Sequence, residues 1–255
     1  MLILLSPSKK QSNVVASSQL DSTQPLFIDK ALFLMSNLKL LSVDQLSKMM
    51  KVSLAIAKST HESIHHFFDA KINTKLRAIQ LFQGDAFQKL SAASLNSDDL
   101  LFAQNHLVIF SALYGFLRPF DAVFPYRLDM KDALPISGDA NLYEYWKSSI
   151  TDGLNTLLSN QKNKMILNLA SDEYVKLIDT KKIAGKIIQV DFKVYKNKEY
   201  KTIGIYAKRG RGLLARYIIK EKLDLPEGIV NFKGEGFEYS SSLSTSGCYV
   251  FVINR

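Results

Sequence analysis

The chain has 255 residues, 47% of them hydrophobic, and its 33 Lys and Arg outnumber 24 Asp and Glu for a formal net charge of +9. That apolar content excludes a disordered chain, and the single cysteine, Cys248, excludes an intramolecular disulfide and fits a reducing compartment. The apolar run Met1 to Leu5 is too short for a secretory signal, and no segment reaches the roughly 18 continuous apolar residues of a membrane span, so the expectation is a cytoplasmic protein without a membrane partner.

In chain order, Met1 to Leu5 predicts a first strand that runs into Ser6-Pro7-Ser8-Lys9-Lys10 and a polar loop reaching about Gln24. Phe27, Ala31, Leu34 and Leu38 recur at helical spacing and predict a helix over 26–41. Two more helices, over 43–50 and 54–68, flank Lys51-Val52-Ser53. A strand is predicted over 78–82, a turn at Gly84-Asp85, and a helix capped by Ser97 ahead of Asp98 and Asp99. The β-like stretch 107–113 leads into YGFLRPFDAVFPYRLDM, an ordered aromatic loop in which Pro119 and Pro125 exclude a regular helix. An amphipathic helix follows over 142–158, then a buried strand over 165–169. Strands over 187–195 and 200–207 form a hairpin around Lys196-Asn197-Lys198, and 248–253 supplies a last strand. No internal repeat and no linker interrupts this series. A single compact α+β domain over residues 1–255, mixing helices with sheet, is the expected fold.

The charge is concentrated. Residues 181–220 hold twelve Lys or Arg against only Asp191 and Glu199, which points to a polyanionic partner as the rival of an ordinary solvated face. Within that region YAKRGRGLLARYIIK, residues 206–220, carries five cations and no acid. A strand handing over to a helix there would let Gly210 and Gly212 bring backbone amides to an anion at the positive end of the helix dipole. Lys220 has Asp224 at i+4 as a partner, whereas Arg216 has no carboxylate three or four places away, so its partner is distant, solvent or a ligand. The match of Gly210, Gly212 and Ala215 to G-x-G-x-x-A is a weak dinucleotide signal, because too little chain follows for a second βαβ half.

LSKMMKVSLAIA, residues 46–57, resembles a helix-hairpin-helix, although Lys51 and Ser53 stand where that motif has glycines. Ser53 can cap the second helix and leave its amides free, while Lys48, Lys51 and Lys58 supply charge for phosphates. His61 and His65 have a metal-compatible spacing, but no further ligand type joins them, so neither a metal nor a cofactor is expected. Asp172 and Glu173 in NLASDEY are the candidate acid and base, with a capped helix start as the equally good structural explanation.

Five segments together, LILLSPSK, LYGFLRPFDAVFPYRLDM, LYEYW, NLASDEY and YAKRGRGLLARYII, resemble the bacterial YaaA family of peroxide-stress resistance proteins across essentially the whole chain. The resemblance implies a single domain with the fold named for a cantaloupe slice, carrying a basic cleft and a helix-hairpin-helix. It further implies binding to duplex and branched DNA and a link to oxidative stress and lowered free iron, with no established reaction. Carried onto this chain, the hairpin falls on Met49 to Ala57, and the cleft draws on Lys9, Arg118, Arg127, Lys208, Arg209, Arg211 and Arg216. The first functional reading is sequence-nonspecific DNA binding. The alternative is an enzyme acting on a nucleotide or damaged base, with Asp172 or Glu173 as acid/base and Tyr114, Arg118, Arg127 and Tyr174 shaping its pocket; an iron-binding protein is the third.

Overall fold

A computed structural model describes residues 1–12, 21–69, 76–136 and 138–254, so residues 13–20 of the expected polar loop lie outside the described residues. Strand β1 (Leu2–Leu5) precedes a helical run of α1 (Ile28–Lys39), α2 (Val43–Met50), α3 (Leu54–Asp69), α4 (Ala78–Leu81), α5 (Asp85–Leu90) and α6 (Ser97–His106). Strands β2 (Leu107–Ser111) and β3 (Gly115–Leu117) follow, then α7 (Leu142–Ser159), β4 (Met165–Leu169) and the single turn α8 (Asp172–Val175). The chain ends with β5 (Lys186–Lys196), β6 (Glu199–Lys201), α9 (Gly204–Glu221), β7 (Glu238–Tyr239) and β8 (Cys248–Ile253). Apolar periodicity explains the agreement at β4 and β8, and at α2, where Ser42 and Gln45 complete a capping box.

Three expectations are corrected. Where a strand is expected over 78–82, residues 78–81 are a helical turn and only Phe82 is extended, bridging Gln11, because Ala78 and Ile79 donate their amides to the carbonyls of Asp121 and Pro119 in the proline loop. Asn96, one residue before Ser97, caps α6 by accepting the Asp99 amide at 2.8 Å. The third correction matters most. The second strand of the hairpin stops at Lys201, and α9 begins at Gly204, because the buried stripe Ala207, Leu214, Ala215 and Ile218 overrides the β preference of Ile205 and Tyr206. The hairpin turn itself stands, with Asn197 and Lys198 both at positive φ.

Gly210 and Gly212 therefore lie inside a helix, and no phosphate cradle exists there. Both are buried at packing contacts: a Cβ on Gly210 would stand 2.3 Å from the Phe192 ring of β5, and one on Gly212 would stand 2.0 Å from the carbonyl oxygen of Ala86 in α5. The glycines let α9 close onto a strand on one side and a helix backbone on the other. Lys220 reaches not Asp224 but Asp99 of α6, at 2.8 Å, and Lys222 joins the same carboxylate. Asp224 instead accepts the Met1 amino group.

Among the described residues, eight strands make one sheet in the order β3-β2-β1-β4-β5-β8-β7, with β6 paired to β5. The pairs β1–β2, β1–β4, β4–β5 and β5–β8 are parallel, and β3, β6 and β7 attach antiparallel. From β1 the chain steps to β2 on one side, then returns across to β4 on the other. Neighbouring strands β1 and β4 thus part company at their carboxyl ends, the topological switch point where open α/β sheets leave a crevice. Every residue of β1 and β2 is buried, as a two-sided parallel layer requires.

Two outcomes follow from this packing. Gly212→Ala should gain about 1 kcal/mol of helix propensity yet lose more to the backbone clash, lowering urea-unfolding stability by about 2 kcal/mol net. Burial opposes charge on Asp99, but hydrogen bonds from Lys220, Lys222 and the Asn96 amide prevail and hold its pKa at about 2 against an ordinary 3.8. A depressed folded pKa stabilises above the unfolded value, so this contribution should be lost as pH falls from about 4 towards 2. In Asp99→Asn, the component of acid destabilisation belonging to that window should be missing from the unfolding curve.

Candidate functional site

The crevice at the switch point is occupied by a cavity of about 420 Å³. Its floor is the ends of β1 and β4, at Leu5 and Leu169, and its walls come from the loops that continue them. Ser171 donates its amide to the Ser6 hydroxyl at 2.9 Å, and the two hydroxyls meet at 3.2 Å, which clasps those loops together. The loop after β1 is strapped to the segment before α5 by Gln83 N–H to Lys10 C=O and Ser12 N–H to Leu81 C=O, at 2.9 and 2.8 Å. Gln11 accepts the Tyr126 amide at 2.9 Å and fixes the proline loop as the third wall. The fourth is α9, which presents Lys208 and Arg211, one turn apart, to the same space.

The structure brings six sequence-predicted residues to this cavity: Lys9, Arg127, Lys208, Arg211, Glu173 and Tyr174. Lys9, Arg127 and Lys208 are exposed around its rim, with Lys10 beside them. Tyr114 is buried behind the lining, edge-on to Tyr126 at 5.6 Å. Asp172 is exposed outside the lining. Arg118 is not part of the cavity; it lies 3.8 Å from the buried Asp121, which organises the proline loop by accepting the Thr23 hydroxyl and the Arg118 amide. Arg216 spends its guanidinium on the carbonyls of Leu90 and Ser91 at the end of α5, the distant partner that the sequence did not identify. Arg209 lies outside the lining as well.

Helices α2 and α3 are joined by 51–53, with Lys51 in the left-handed region closing α2 and Ser53 accepting the Ile56 amide at 3.4 Å. Lys48, Lys51 and Lys58 are exposed. Met50, at the end of α2, lines the main cavity, and α3 lines a second hollow of about 390 Å³ that shares Gln11, Tyr126 and Arg127 with the first. The hairpin and the cavity are thus contiguous. His61 and His65 pack ring to ring at 4.6 Å on α3, and no group of three metal-ligating side chains occurs among the described residues.

Electrostatically the interior is mixed. Asp129 pairs with Lys9 at 2.7 Å, and Glu173 with Lys131 at 3.1 Å. Burial acts to raise the Asp129 pKa, but the hydrogen bond and charge of Lys9 outweigh it and bring the value down. The neighbouring Asp132 goes the other way, pushed up by burial and by the charge of Asp129. One carboxyl is thereby held ionised beside one that keeps its proton more readily, a division of roles seen where acid and base work together. Arg211 stands apart: its Nε is the buried side-chain nitrogen left without a hydrogen-bond partner among the described residues. Burial pulls its pKa down, and Asp172 and Asp191 oppose that only at longer range.

Sequence reasoning missed Asp129, Asp132, Tyr126 and Ser8. The signal of Tyr126, Asp129 and Asp132 was present in YRLDMKD, two carboxylates three apart in a loop pinned by prolines, but a loop without period says nothing of the wall it will form.

Residues 1–243 match the family model described as peroxide stress protein YaaA. A UPF0246 protein of Legionella pneumophila strain Corby is 40% identical over 255 residues, covering 99% of each chain. A UPF0246 protein of Francisella philomiragia is 39% identical over 255 residues, covering 99% of this chain and 100% of that one. One of Bordetella petrii is 40% identical over 253 residues, covering 98% of each.

The placement of Arg216 generates a separable outcome. Arg216→Ala should lower thermal or urea stability by about 1–2 kcal/mol, for two lost charged hydrogen bonds to helix-end carbonyls.

Proposed function

The chain belongs to the YaaA family of peroxide stress proteins, and from that premise we propose that it serves the oxidative stress response as a DNA-binding protein, gripping backbone phosphates without reading sequence. The supporting observation is the convergence of exposed cations from three remote segments, Lys10, Arg127 and Lys208, on the rim of one cavity, with Lys9 beside them paired to Asp129. The α2–α3 hairpin borders that rim through Met50 and through the second hollow, which shares Arg127 with the first, and adds Lys48, Lys51 and Lys58 beside its capped turn. Phosphate contacts of this kind position a protein on a duplex and carry no sequence information, which suits a general protective role. The protein works in the cytoplasm, where its DNA partner lies; no helix among the described residues is long and apolar enough to cross a membrane.

Counterion release sets the test. With about five phosphate contacts, the logarithm of the binding constant for a short duplex should fall against the logarithm of salt with a slope of about −4 to −5. Arg127→Ala combined with Lys208→Ala should reduce that slope by about 2, measured by fluorescence anisotropy. A binding constant indifferent to salt would overturn the proposal.

A further inference from the structure

We propose that the interior of the switch-point cavity binds a small phosphate monoester of nucleotide size, with Arg211 as the anchor for its phosphoryl group. This goes beyond the DNA reading, which uses the rim; a duplex lies across the mouth, whereas the interior admits one compact unit. The volume of about 420 Å³ falls within the roughly 300–1,000 Å³ of small-molecule sites, and the position is the one where open α/β sheets hold their ligands.

The need for an anion is written into Arg211. Arg211 is partly buried, yet its enclosed Nε has no acceptor and no ion pair includes it among the described residues, Asp172 and Asp191 acting on it only through longer-range charge. An oxyanion seated against Arg211 would draw the guanidinium towards the cavity and take the Nε–H, now enclosed by protein, together with a terminal one, the forked geometry that arginine offers and lysine does not. Lys208, one turn earlier on the same face, supplies a second charge from the rim. Ser8 supplies a neutral donor, since its oxygen accepts the Lys10 amide at 3.1 Å and leaves its proton for a ligand. Three donors of this spread suit the three terminal oxygens of a phosphoryl group better than the two of a carboxylate. The carboxylates of Asp129 and Glu173 do not repel such a ligand at full strength, because Lys9 and Lys131 already neutralise them. They remain acceptors for hydroxyl or amino groups on its body.

The test is isothermal titration of the full chain with the four nucleoside 5′-monophosphates and the four corresponding nucleosides. At least one monophosphate should bind saturably at one per chain, its nucleoside at least tenfold more weakly, and inorganic phosphate should compete. Arg211→Gln should weaken that binding at least tenfold and Arg211→Lys should restore only part of it. Thermal melting of Arg211→Gln supplies a readout that a structural arginine would fail: removing a partly buried cation whose enclosed Nε is unsatisfied should leave the melting temperature equal or higher. Lys208→Ala, at an exposed site, gives a second measure of weakened binding should the Arg211 variants not fold. Monophosphates binding no better than nucleosides, or binding unchanged in both Arg211→Gln and Lys208→Ala, would overturn the inference. Duplex binding that survives without any monophosphate binding refutes this inference alone, and monophosphate binding without duplex binding refutes only the DNA reading.

Discussion

The parallel pairing of β1 with β4, from Leu2 opposite Ile166 to Leu5 opposite Leu169, is the constraint on which the rest depends. Two strands far apart in sequence are held side by side, but the chain that leaves each goes to a different flank of the sheet. Among the described residues, the gap between their carboxyl ends is bordered by what the loops and α9 supply. The protein fills part of it with the Ser6–Ser171 clasp and leaves the remainder as a cavity. Parallel sheets bury both faces, so the open ends of their central strands are the natural places for polar side chains to meet a ligand.

The second determinant is how closely α9 approaches. Had residues 210 and 212 carried side chains, α9 would stand further from β5 and α5, and Lys208 and Arg211 would recede from the space that they now line. Glycine is a poor helix former, so two of them within one helix cost stability that the close packing must offset. The far end of α9 is secured differently, by Lys220 and Lys222 sharing the carboxylate of Asp99. Charge in this segment thus divides between holding the helix in place, through Arg216, Lys220 and Lys222, and facing the cavity, through Lys208 and Arg211.

That division marks the limit of what could be read from residues alone. The strands β4 and β8 and the helices α2 and α7 were legible because apolar period and caps are local signals. The start of α9 was not, since Ile203, Ile205 and Tyr206 carry strand preference and only tertiary burial of Ala207 and Leu214 decides for a helix. The excess charge of residues 181–220 was plain, but the partners of Arg216 and Lys220 lie more than a hundred residues away. Lys9, Arg127, Lys208, Arg211, Glu173 and Tyr174 were each singled out as candidates, and their meeting in one cavity is a fact of sheet topology. Asp129 and Asp132 went unread because the loop that bears them has no period, only prolines.

The walls of the cavity draw on the stretch 5–11, on Met50, on 84–87, on the proline loop from Tyr126 to Asp132, on Leu169, Ser171, Glu173 and Tyr174, and on Lys208 and Arg211, so its construction spans most of the chain. Contacts of such sequence separation carry a large loop-closure entropy and consolidate late in folding. A partly synthesised chain that lacks α9 has the sheet's inner strands but neither Lys208 nor Arg211, and hence no basic wall. The basic wall is therefore completed in one step, when α9 closes onto β5 and α5, and not gradually as the chain emerges.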